Sequence, residues 1–176
     1  MKTKTITLYD FKELSESAKQ KAIEKLYDIN IDYEWYDSTY EDAKNIGLKI
    51  TGFDIDRARY CNGNFIKDAN YTANKIKSEH GVNCETYKTA DTFLQNWDKL
   101  VAKYSDGDGE KVLPENEYKF DTEADELEDE FLKSILEDYR IILSKEYDYL
   151  TSKAAIIETI NANEYTFTED GTLENI

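Results

Sequence analysis

Three groups of side chains in this sequence have types and spacings that could carry chemistry. The first is Cys61, His80 and Cys84, the only two cysteines and the only histidine of the chain. They could supply three zinc ligands, but a structural zinc site needs four and no paired C-x2-C spacing accompanies them. Buried free thiols and a helix-capping histidine are the simpler reading. The second group runs from Asp106-Gly-Asp108-Gly-Glu110 to Glu117. Counted from Asp106, its acids fall at the first, third, fifth and twelfth places of a calcium loop, with expected helices on both sides. The sixth place, where such loops need glycine for a sharp turn, is Lys111, and Pro114 stands at the ninth. A calcium site at Asp106, Asp108, Glu110 and Glu117 therefore competes with a plain acidic loop, and no cofactor is expected.

The third group is Asp121, Glu123, Asp125, Glu126, Glu128, Asp129 and Glu130, seven acids in ten residues. Ten helical residues rise about 15 Å, which spaces the charges by roughly 2 Å, against roughly 1.7 Å in duplex DNA. Such a helix could present phosphate-like charge to a basic nucleic-acid channel. The helix dipole accounts for an acidic first turn, Asp121 to Asp125. It accounts poorly for the continuation to Glu130, where like charges three and four residues apart repel.

These acids belong to an uneven distribution. The chain has 176 residues, with 38 acidic against 22 basic side chains and a net charge of -16. Residues 1–104 carry a net of -1, residues 105–150 a net of -11 and residues 151–176 a net of -4. Asymmetry of this size marks a solvating region or an interaction face. An aromatic content of 13%, with 14 tyrosines, argues against a disordered acidic tail. The acidic field disfavours direct binding of nucleic acid. No apolar run is long enough for a membrane span or a signal segment, so a cytoplasmic protein with reduced thiols is expected.

Catalytic motifs are missing. No G-x-S-x-G, Walker loop, G-x-G-x-x-G or H-E-x-x-H occurs. With so many carboxylates the sequence nominates no acid–base pair. An enzyme is not expected. Arg57 and Arg59 alternate on an expected strand, where ion pairs with Asp54 and Asp56 are the default.

The elements that would position these groups follow from periodicity. Lys2–Tyr9 alternates as a strand, and Ser15 caps a helix to about Asn30. A second helix covers roughly Tyr33–Asn45 and stops at Gly47. Leu48–Lys67 reads as a hairpin with a bulge at Gly52 and a tight turn at Asn62-Gly63. Helices are expected over Asp68–His80 and Thr89–Tyr104, a loop over Ser105–Phe120, and a long helix over Asp121–Tyr149. A short helix from Thr151 or Ser152 to Ala162 and a hairpin around Asp170-Gly171 close the chain. The expected fold is a single α+β domain, a small antiparallel sheet of the N-terminal strand and two hairpins packed by five or six helices.

The stretch Leu8-Tyr9-Asp10-Phe11-Lys12-Glu13-Leu14-Ser15-Glu16-Ser17-Ala18-Lys19 resembles the Y-x-F-x-E-L-S-x-x-A-K opening of a group of small acidic bacteriophage and mobile-element proteins. Gly47–Arg57 and Asn163–Gly171 resemble other segments of that group. The resemblance covers nearly the whole chain and brings no catalytic residues with it. It implies phage origin and a counter-defence role of anti-CRISPR or anti-restriction type. The partner would be a host defence protein or ribonucleoprotein with a basic nucleic-acid channel, engaged through the seven acids. An antitoxin-like or regulatory module that uses Tyr33, Trp35, Tyr36 and Tyr40 as apolar anchors is the alternative. A calcium-binding module is the third.

Overall fold

The structure, a computed structural model, describes residues 6–105 and 112–174. Within them lie β1 (Tyr9–Asp10), α1 (Glu16–Lys25), α2 (Asp37–Asn45), β2 (Leu48–Asp54), β3 (Tyr60–Phe65), α3 (Ala69–Glu79) and α4 (Glu85–Tyr104). A 3-10 turn at Pro114–Asn116 then leads into α5 (Glu117–Leu150), α6 (Lys153–Ala162), β4 (Thr166–Phe167) and β5 (Leu173–Glu174). The fold class is α+β, as the periodicity implies. None of these helices is long and apolar enough to cross a membrane.

Helix starts follow the local chemistry closely. The Ser15, Asp68 and Ser152 side chains accept from the backbone N–H groups of Ala18 (3.3 Å), Tyr71 (2.7 Å) and Ala155 (3.2 Å). Each such cap is worth about 1 kcal/mol. Gly47 ends the α2 turn at φ +93°, a conformation a side chain would resist. Several boundaries differ from the periodic reading. α1 stops at Lys25, α2 starts only at Asp37, α4 starts a turn early at Glu85, and α5 begins at Glu117 behind Pro114.

The chain forms two compact units, residues 1–35 with 145–176, and residues 36–144. In the first, β1 pairs antiparallel with β4 and β4 with β5. Phe11, Leu14, Ala18, Ala22, Ile23, Ile156, Ile160 and Phe167 form its core. Gly171 turns the closing hairpin at φ +79°, and a β-carbon there would lie 2.2 Å from the Ala18 carbonyl oxygen. Lys21 pairs with Asp170 beside it.

The second unit contains α2, the β2–β3 hairpin, α3, α4 and most of α5. The hairpin pairs with no strand of the first sheet, so the expected single sheet is two. The slip at Gly52 is present, because Ile50 pairs with Gly63 and Gly52 with Asn62, leaving Thr51 over. The turn, however, is not at Asn62-Gly63. Both lie inside β3, and residues 55–59 make the turn. There the Asp54 carboxylate accepts the backbone N–H groups of Asp56 (2.8 Å) and Arg57 (3.0 Å). Gly63 serves close packing, since a β-carbon would sit 2.5 Å from the Lys49 carbonyl oxygen and 2.8 Å from Leu136. Arg57 and Arg59 therefore sit in the turn. Neither has an ion pair to Asp54, and Arg57 lies 3.7 Å from Asp56. Over the hairpin, Phe65, Phe131 and Phe93 stack at ring separations of 5.7 and 4.4 Å.

Candidate functional site

The acidic run lies on α5 within the second unit, and the helical twist sorts it into two rows. Ala124 and Phe131 are buried and Leu127 is half-buried, which sets the inward face. At about 100° per residue, Glu123, Glu126 and Glu130 fall on one side of that face, and Asp121, Asp125, Glu128 and Asp129 on the other. The first row looks across a groove at α4. Glu123 is held there, with both carboxylate oxygens 2.7 Å from the Lys103 ammonium and one accepting the Tyr104 hydroxyl at 2.7 Å. These two donors keep its carboxyl below the usual glutamate range. Glu126 and Glu130 line the same groove.

The second row is uncompensated. Asp121, Asp125 and Asp129 are exposed and Glu128 is half-buried. Among the described residues no hydrogen bond or ion pair engages any of the four side chains. Burial pushes the Glu128 carboxyl up, and the charges of Asp125, Asp68 and Asp129 push it further. Asp68 comes from the N-cap of α3, so a second element adds to this row. The seven residues thus form a compensated row and a bare one, which spacing alone could not separate.

The other candidate groups fare differently. Asp106, Asp108 and Glu110 lie outside the described residues, and Glu117 is exposed at the start of α5. Cys61 is half-buried in β3, where desolvation raises its thiol to about 11. Cys84 is exposed at the N-cap of α4, so the expected burial of both thiols fails at this residue. Among the described residues no group of three His, Cys, Asp or Glu side chains is placed to hold a metal. Three of the four aromatics make ring contacts inside the fold. Trp35 packs on Tyr147 at 5.8 Å, and Tyr36 packs on Tyr40 at 5.0 Å and Phe53 at 5.3 Å. Tyr33 is 62% exposed.

A partly buried polar chain in the second unit has no signature in the sequence. The Tyr139 hydroxyl donates to Asp42 Oδ2 at 2.6 Å, and Asp42 Oδ1 lies 3.4 Å from His80 Nε2. His80 Nδ1 is 2.7 Å from the Thr86 hydroxyl. The 3.4 Å contact is too long for a strong hydrogen bond, but the His80 ring facing it still holds the Asp42 carboxyl below its ordinary range, with Tyr139 helping. The order Asp–His–Thr has the composition of a nucleophile relay. Thr86 is only 3% exposed, however, so no substrate can approach its oxygen. The chain instead ties α2, α3, α4 and α5 together. His80 is the residue after α3, as a helix-capping histidine should be, and its ring works across the unit.

Comparison with known proteins adds no relative: the chain matches no family model, no curated protein and no solved structure.

Proposed function

We propose that this chain is a binding protein of the phage counter-defence type, which blocks a host nucleic-acid-handling complex by filling its Lys/Arg-lined channel with the acidic face of α5. The observation that carries this reading is the bare row Asp121, Asp125, Glu128 and Asp129, with the α3 cap Asp68 nearby. Folding leaves these four carboxylates without partners, and burial together with the charges of Asp125, Asp68 and Asp129 raises Glu128. A surface that gains nothing for the fold and is costly to assemble finds its compensation in a cationic partner. The resemblance of Leu8–Lys19 to phage and mobile-element proteins supports the anti-CRISPR or anti-restriction setting. The aromatic alternative receives less support, because Trp35, Tyr36 and Tyr40 already pack on rings of their own fold.

The test is competition. The purified chain is titrated against a panel of host CRISPR effectors and restriction nucleases bound to labelled DNA, at low and high salt. Displacement that weakens steeply with salt is expected for one member. Reversing Asp121, Asp125 and Asp129 to lysine should abolish displacement while the circular dichroism stays unchanged. Full displacement by the reversed variant would sink the proposal.

A further inference from the structure

The groove between α4 and α5 points to a second copy of this chain. Two adjoining depressions, ≈ 260 and ≈ 480 Å³, share Asn96, Leu127 and Glu130 and so make one continuous trough. Along α4 the trough spans Lys88 to Lys103, about 22 Å of helix. Its floor is apolar and narrow: half-buried Leu127 lies over Phe93, Leu100 and Phe131, which are themselves buried in the core. Its walls carry opposite charge: Lys88, Lys99 and Lys103 on the α4 side, Glu123, Glu126 and Glu130 on the α5 side. The helices run antiparallel, as the Lys103–Glu123 and Thr89–Asp138 contacts at opposite ends require.

The walls neutralise each other only in part, and Lys88 pairs with Glu85 of its own helix at 2.6 Å. Lys103 reaches Glu123, but no ion pair within 4 Å joins Lys99 to Glu126 or Glu130, and the Lys99 ammonium contacts only Asn96 among the described residues. A surface with a basic edge, an apolar centre and an acidic edge is complementary to itself. A two-fold axis parallel to the trough lays the basic wall of one copy over the acidic wall of the other, and does so twice. It also brings Lys99 of each copy level with Glu126 and Glu130 of its mate. We infer that the α4–α5 trough is the interface of a symmetric homodimer, with α4 of each copy seated on α5 of the other. This inference does not depend on the partner reading, because the dimer covers the Glu126 row and leaves the Asp121, Asp125 and Asp129 row free.

Sedimentation equilibrium on the full chain at physiological salt tests it with two variants, both checked by circular dichroism. One carries Lys88→Glu and Lys99→Glu, the other Glu126→Lys and Glu130→Lys. The wild type should weigh twice its 20.5 kDa. Each variant alone should associate at least tenfold more weakly, since like walls then face each other. Mixed in equal amounts, the two should recover the dimer, because each reversed wall meets its complement. A wild type monomeric at 200 μM, variants that dimerise unchanged, or a mixture that stays monomeric would each overturn the inference.

Discussion

Replacing Tyr139 with phenylalanine removes one oxygen from a polar contact between a buried hydroxyl and a partly exposed carboxylate of the second unit. Tyr139 is fully buried, and its hydroxyl donates to Asp42 Oδ2 at 2.6 Å. A hydrogen bond to a charged group contributes about 1.5–3 kcal/mol. The Asp42 side chain is 49% exposed, so water replaces part of what it loses. The lower end of that range follows, about 1–2 kcal/mol. With a urea slope of roughly 2 kcal/mol/M, the midpoint should fall by about 0.5–1 M. Trp97 lies in this unit, and its fluorescence in a Trp35→Phe background reports the transition. The pH dependence supplies the sharper criterion. The Asp42 carboxyl is depressed by His80 and Tyr139, so its contribution is complete above the ordinary aspartate value of 3.8 and fades as pH falls through the lower folded value. The gap between wild type and Tyr139→Phe should therefore be constant from pH 5 to 8 and narrow below pH ~4. A gap unchanged at pH 3, or no gap at neutral pH, would refute the assignment of Asp42 as the partner that matters.

Gly171→Ala should destabilise the first unit by more than ~2 kcal/mol, because the new β-carbon meets the Ala18 backbone at a positive φ. Hydrogen exchange of the α1 and α6 amides measures this, and unchanged protection would contradict it. The two thiols should separate under a disulfide reagent at pH 8. Exposed Cys84 reacts first, whereas Cys61, with its thiol near 11, holds only about one thiolate per thousand thiols at pH 8 and reacts only as the unit opens. Mass spectrometry after brief labelling would find the mark on Cys84. The lysine reversals of the bare row and the complementary wall variants complete the set.

Much of this protein is legible one segment at a time. Ser15 and Ser152 begin helices because a hydroxyl satisfies an orphan N–H within three residues, whatever the rest of the chain does. The turn at Gly171 likewise follows from local backbone freedom at positive φ, and the phase slip of the apolar residues around Gly52 marks the bulge. Asn62-Gly63 has the composition of a tight turn and is nonetheless strand, because Gly63 is needed where Lys49 and Leu136 leave no room for a side chain. Local turn preference is worth less than a clash-free crossing in the core, and no reading of six residues contains that information.

The candidate site divides along the same line. Composition alone places the excess charge of this chain between residues 105 and 150, and spacing alone puts seven acids on one helix. Charge is a property of residue type, and helical period is a property of neighbours in sequence. Which acids are spent and which are bare is a different kind of fact. Lys103 and Tyr104 quench Glu123 from twenty and nineteen residues away, and Asp68 reaches Glu128 from another helix. The tie from Tyr139 to Asp42 spans 97 residues. Only packing sets those distances, because electrostatic and hydrogen-bond energies depend on ångströms between side chains and not on their separation along the chain.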